Sequence, residues 1–133
     1  MFEEFKFSEK QIKKYFEAAF TDLGNAKEIN IPSVRFRVCY DILLKLAITV
    51  CAKNGMRVRA RKGHHIELIL KLSDLLGYED IERIGDEMRI KRNTDLYSGG
   101  IVITEKEAEK YLGWVEEVFH KTERYLFGGE KLF

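Results

Sequence analysis

Residues 32–55 read PSVRFRVCYDILLKLAITVCAKNG, and the spacing of their apolar side chains decides the fold class. Val34, Val38, Ile42, Leu46 and Val50 recur every fourth residue, and Phe36, Tyr40, Leu43 and Ala47 widen the stripe. Positions three and four apart share one face of a 3.6-residue helix, so the stripe marks a helix with a broad buried face. Pro32 suits the first turn, where a missing backbone N–H costs nothing. Asn54-Gly55 supplies a stop. As the most apolar helix of the chain, this segment is expected at the centre of the fold.

Outward from it, other helices announce themselves by their ends. Ser8-Glu9-Lys10-Gln11 matches a capping box, and Ile12, Tyr15, Phe16 and Phe20 follow as one apolar face. A helix from about His64 to Leu76 carries Ile66, Leu68, Ile69, Leu70, Leu72, Leu75 and Leu76 and ends at Gly77. A fourth is expected from near Asp80 to about Arg92, with Gly99-Gly100 forcing a break. Thr104-Glu105-Lys106-Glu107 is a second capping box, and Ala108, Tyr111, Leu112, Val115, Val118, Phe119, Thr122 and Leu126 keep helical spacing behind it. Residues 56–63 alternate in strand fashion but are short and alone, so they read as an extended loop. The regularly spaced turn signals of an all-β fold are absent. Five helices with short connections predict an all-α, up-and-down antiparallel bundle, one domain spanning residues 1–133.

Composition narrows the function classes. Lys and Arg total 23 against 22 for Asp and Glu, a formal charge of +1, which argues against a protein that coats nucleic acid along its whole surface. There is no long uncharged apolar run, so no membrane span is expected. The start, Met1-Phe2-Glu3-Glu4, lacks the basic and apolar regions of a leader, so a cytoplasmic location is expected. Cys39 and Cys51 lie twelve residues apart on one helix, roughly 18 Å, too far for a disulfide within it. Both read as reduced, buried thiols. No cofactor or metal motif is present, and adjacent His64 and His65 face different ways on a helix, so no metal site is expected from them.

Two clusters remain as candidates. Ile81, Ile84, Met88 and Arg92 fall on one helix face, so Arg92 continues an apolar stripe and needs an anion, backbone carbonyls or an exit to water. The plain alternative is a helix-end arginine set against the C-terminal dipole. Asn93, Asp95 and Tyr97 follow, and Tyr97 can converge with Arg92 only if the helix breaks between them, because five residues turn through about 140°. The second cluster is Arg57, Arg59, Arg61, Lys62, His64 and His65. It is a local positive patch of the kind that holds RNA phosphates, with a simple solvated loop as the alternative.

The order of these signals resembles the HEPN family over roughly residues 8–127. The features that carry the resemblance are the long apolar helix ending Cys51-Ala52-Lys53-Asn54-Gly55, then Gly63-His64-His65, then Leu75-Leu76-Gly77. Arg92-Asn93-Thr94-Asp95-Leu96-Tyr97-Ser98-Gly99-Gly100 and the cap at Thr104–Glu107 complete them. The resemblance implies a homodimeric bundle of four to five helices, without cofactor or metal. Active members are metal-independent ribonucleases whose motif is an arginine, a polar residue and, a few residues on, a histidine. Arg92 and Asn93 match its first two positions; Tyr97 stands where the histidine would, and no histidine occurs from 93 to 119. Tyrosine, with a pKa near 10, is a poor proton shuttle at neutral pH. The expectation is therefore a homodimer that binds RNA or nucleotide phosphate through Arg92, Asn93 and Tyr97, the basic stretch from Arg57 to His65 extending the groove. The alternatives are a ribonuclease toxin of a toxin–antitoxin pair, with Arg92, Asn93 and Tyr97 catalytic, and a non-catalytic partner of a small nucleotidyltransferase.

Overall fold

The computed structural model describes residues 1–97 and 103–128, with side chains described for 1–94 and 103–128. The helices are α1 (Glu9–Glu28), α2 (Pro32–Lys53), α3 (His64–Leu76), α4 (Glu79–Tyr97) and α5 (Glu105–Phe127). Two short strands, β1 (Phe2–Glu4) and β2 (Met56–Val58), accompany them. No helix among the described residues is long and apolar enough to cross a membrane.

The expected ends form. Ser8 and Gln11 close the capping box of α1, Thr104 and Glu107 that of α5, and Pro32 opens α2. Each box satisfies N–H groups that the first turn would otherwise leave without partners. α2 is central, packing against each of the other four helices. Phe36, Ile42, Leu43, Leu46 and Val50 are completely or almost completely buried. Burial of each such side chain is worth roughly 1.5–3 kcal/mol, so this helix supplies the largest share of the core. On α1 the buried stripe is Ile12, Phe16, Ala19, Leu23 and Ala26, and Phe16 stacks on Phe119 at 4.6 Å. Tyr15 and Phe20, expected on that face, are exposed, because steps of four and three from Ile12 pass them by.

Two expectations fail. Residues 56–58 are a strand with a partner: β2 pairs antiparallel with β1, with Phe2 opposite Val58, Glu3 opposite Arg57 and Glu4 opposite Met56. The partner lies more than fifty residues away at the start of the chain, where three residues carry no periodic signal. Strict up-and-down alternation is also broken. α1 lies antiparallel to α2, with Lys53 beside Glu9, Lys45 beside Asp22 and Arg35 bonded to the carbonyl of Ala26. α5, however, runs in the same sense as α2: Phe36 meets Tyr111 near one end and Asn54 meets Tyr125 near the other. α3 also follows the sense of α2, its first turn meeting Tyr40 and Lys71 lying near Cys51. The segment between α2 and α3 makes this possible. Ten residues in extended form reach up to about 33 Å, enough to return along the bundle before α3 begins.

α3 and α4 form the antiparallel hairpin that builds the site. On α4, Ile81 and Met88 are fully buried and Ile84 partly so, as the stripe ending in Arg92 requires. Between them Gly85 meets α3 without a side chain. A Cβ there would stand 2.6 Å from Cγ2 of Ile69 and 3.3 Å from Cδ2 of Leu43. Ile69 and Leu43 are both buried and cannot retreat. Gly85→Val is expected to destabilise the fold by about 1–3 kcal/mol, read as a lowered urea midpoint. An unchanged midpoint would mean the two helices have room to spare.

Candidate functional site

The site begins with the buried phenol of Tyr40 on α2. Its hydroxyl lies 3.1 Å from Nδ1 of His65, in the first turn of α3. Burial pushes the Tyr40 hydroxyl up to about 12, so it stays protonated and donates. His65 is pushed the other way: burial, then the neighbouring His64, Arg92 and Arg89, hold it below the ordinary imidazole value. A neutral imidazole accepting at Nδ1 carries its own proton on Nε2.

His64 stands beside it, the two rings 4.4 Å apart. Its Nδ1 lies 2.7 Å from the carbonyl oxygen of Arg61. A carbonyl only accepts, so Nδ1 bears the proton and Nε2 of the neutral ring keeps a lone pair. The two histidines thus offer opposite faces, one Nε2 donor and one Nε2 acceptor. They sit at a helix N-terminus that no side chain caps; Gly63, at φ 84°, makes the left-handed turn into it. Such an end presents backbone N–H groups and a partial positive charge.

Arg92 approaches from α4. Its guanidinium carbon lies 5.9 Å from the centre of the Tyr40 ring. The side chain is half-buried, and no described carboxylate lies within ion-pair distance of it. Arg92 acts at longer range on the carboxyl of Asp41, which burial raises and Arg92 lowers. Arg89, one turn earlier, is paired with Asp86 at 2.9 Å. Together with Arg61, Lys62, His64 and His65, Arg89 lines a cleft of about 520 Å³.

The two clusters seen in the sequence therefore meet, but only in part. Arg61, Lys62, His64 and His65 share a cleft with Arg89, and Arg92 reaches the cluster through Tyr40 and His65. Arg57 and Arg59 do not join them. Both are held by Glu3 across the small sheet, each at 2.6 Å, and Arg57 also lies over the ring of Phe5 at 4.4 Å. Arg59 and then Arg57 hold the Glu3 carboxyl below its usual range. Strand pairing brought a carboxylate to cations that looked solvated. Asn93 is half-buried within α4, and its side chain makes no hydrogen bond among the described residues. α4 does not stop at Arg92 but continues through Tyr97, so positions 92 and 97 stay about 140° apart around one helix. The side chains of 95–97, and residues 98–100, lie outside the described residues.

Tyr40, Arg89 and Asp86 went unnoticed in the sequence. Tyr40 hides inside an apolar stripe, and Arg89 is one of many charges on α4. The cysteines are buried and free, their thiols pushed up to about 12 at Cys39 and about 11 at Cys51, which leaves them unreactive. No group of three or more His, Cys, Asp or Glu among the described residues could hold a metal ion. Comparison with protein-family models, with curated proteins and with solved structures finds no match to this chain.

The depressed His65 has a consequence for stability. The unfolded chain takes up a proton at about pH 6.5, whereas folded His65 takes it up only at lower pH. Its contribution is present above about pH 6.5 and is lost progressively as pH falls from there through the lower value of folded His65. Thermal midpoints measured from pH 8 to pH 5 should fall more steeply for the wild type than for His65→Gln. Parallel curves would show that His65 titrates normally.

Proposed function

We propose that this chain is a HEPN-like domain, acting as a homodimer, that binds the phosphate of an RNA or nucleotide between the first turn of α3 and the face of α4 bearing Arg89 and Arg92. The observation that carries the reading is that Arg92 and the His64–His65 pair, separate in sequence, stand around one buried tyrosine. An arginine without a described carboxylate partner, beside an uncapped helix N-terminus, is a site prepared for an anion. Arg61 and Lys62 would follow the backbone of a longer strand, while Arg57 and Arg59, held by Glu3, would contribute little.

A second reading, a metal-independent ribonuclease of toxin type, draws on the histidines. A lone pair on Nε2 of His64 beside an N–H on Nε2 of His65 is an acid–base pair of the kind that can move protons at a phosphodiester. In this reading the α3 pair takes the place of the motif histidine that Tyr97 replaces.

One assay addresses both. Anisotropy of a fluorescent single-stranded RNA at low salt should report binding that weakens as salt rises, and Arg92→Ala should weaken it roughly tenfold or more. Absence of binding at low salt contradicts the proposal. Cleavage of the same RNA in EDTA, lost in His64→Ala, supports the second reading; intact RNA leaves binding alone.

A further inference from the structure

A second concavity, larger than the anion cleft and of opposite sign, runs along the outer side of the α3–α4 hairpin. It measures about 1080 Å³. One stripe of each helix lines it. From α3 come Ile66, Ile69 and Leu70, spaced as one helix face; from α4 come Glu79, Glu82 and Asp86, spaced likewise. The two walls differ in chemistry. The α3 wall is apolar where Ile66, 45% exposed, and half-buried Leu70 reach the surface. The α4 wall is acidic, and Asp74 and Asp80 add to it at the closed end of the hairpin. Arg83 is the one cation among the described residues that line the groove. Asp74, Glu79 and Glu82 form no ion pair among the described residues, so none of the described cations neutralises them by direct contact.

We infer that this groove receives a basic amphipathic helix of a partner protein. The match is one of charge and periodicity. Ile66 to Leu76 spans eleven residues, about 16 Å or three helical turns. A helix of that length with one apolar stripe would lay it on exposed Ile66 and half-buried Leu70, with Ile69 already covered by the hairpin itself. Lys or Arg along the neighbouring edge would then face Glu79 and Glu82, while Asp86 stays with Arg89. A nucleic acid is excluded from this face by the sign of its charge. A second copy of the chain fits poorly: Arg57 and Arg59 are engaged by Glu3, and Glu9 and Glu17 interrupt the exposed lysines of α1. The inference stands apart from the proposed anion site, with which the groove shares only Asp86 and Ile66 as neighbours.

The test uses the full chain and two fluorescent synthetic helices, one with a leucine stripe edged by Lys and Arg, the other with the same stripe edged by Glu. The basic peptide should bind, with affinity falling as salt rises, and the acidic one should not. Asp74→Lys/Glu82→Lys should weaken binding of the basic peptide by roughly tenfold or more, and Ile66→Ser should weaken it too. All three positions are exposed, so circular dichroism should show an unaltered fold, while Arg92→Ala should bind the peptide as the wild type does. Equal binding by wild type and the charge-reversed variant would overturn the inference. So would a dimer, seen in sedimentation, that the charge reversal dissociates and the basic peptide cannot displace, since the groove's occupant would then be a second copy.

Discussion

The close approach of α3 to α4 over Gly85 is the constraint on which the rest of the site depends. A side chain at that position would run into Ile69 and Leu43, and the hairpin would have to open. With no Cβ in the way, the two helices pack against α2 as one unit. The first turn of α3 then lies against Tyr40, and the last described turns of α4 carry Arg89 and Arg92 to the same place. The contact at residue 85 is apolar and steric, yet its result is electrostatic. It gathers two histidines and two arginines around a phenol that cannot ionise at neutral pH.

Charge is sorted on this molecule rather than scarce. Near neutrality overall, the chain pairs its cations unevenly. Glu3 holds Arg57 and Arg59 at the small sheet, and Lys91 is engaged by Glu107 and Tyr111 between α4 and α5. Arg92, Arg61 and Lys62 have no such carboxylate among the described residues. Along the larger groove of the same hairpin the imbalance reverses, with Asp74, Glu79 and Glu82 in no ion pair among the described residues. A hairpin with a cationic end and an acidic flank carries fields of opposite sign on one pair of helices.

Much of the fold was legible because helices write their ends and faces locally. Ser8, Pro32, Gly77 and Thr104 each mark a boundary within a few residues of the groups they serve, and the four-residue repeat of α2 needs no distant information. What was illegible was long-range. The pairing of Phe2–Glu4 with Met56–Val58 depends on two short segments that only the finished bundle brings together, and the shared direction of α2 and α3 follows from the extended return between them. The site divides in the same way. Arg92 could be singled out because it breaks an apolar stripe, and His64 and His65 because they adjoin a basic run. That they meet, that Tyr40 joins them, and that Arg57 and Arg59 are held elsewhere are facts of packing. The helix end expected after Arg92 was misplaced because Asn93 and Thr94 are permissive rather than breaking, and Thr94 bonds back to the carbonyl of Ile90 inside the helix.

The proposed site makes Arg92 and His65 receive one anion together. It is tested most directly by following the imidazole resonances of His65 by NMR as pH is varied, in the wild type and in Arg92→Gln, each with and without inorganic phosphate. The account predicts a His65 pKa below the ordinary value in the free wild type, a rise when phosphate is added, and a rise when Arg92 loses its charge. A His65 that titrates at the ordinary value, unmoved by either change, would contradict it.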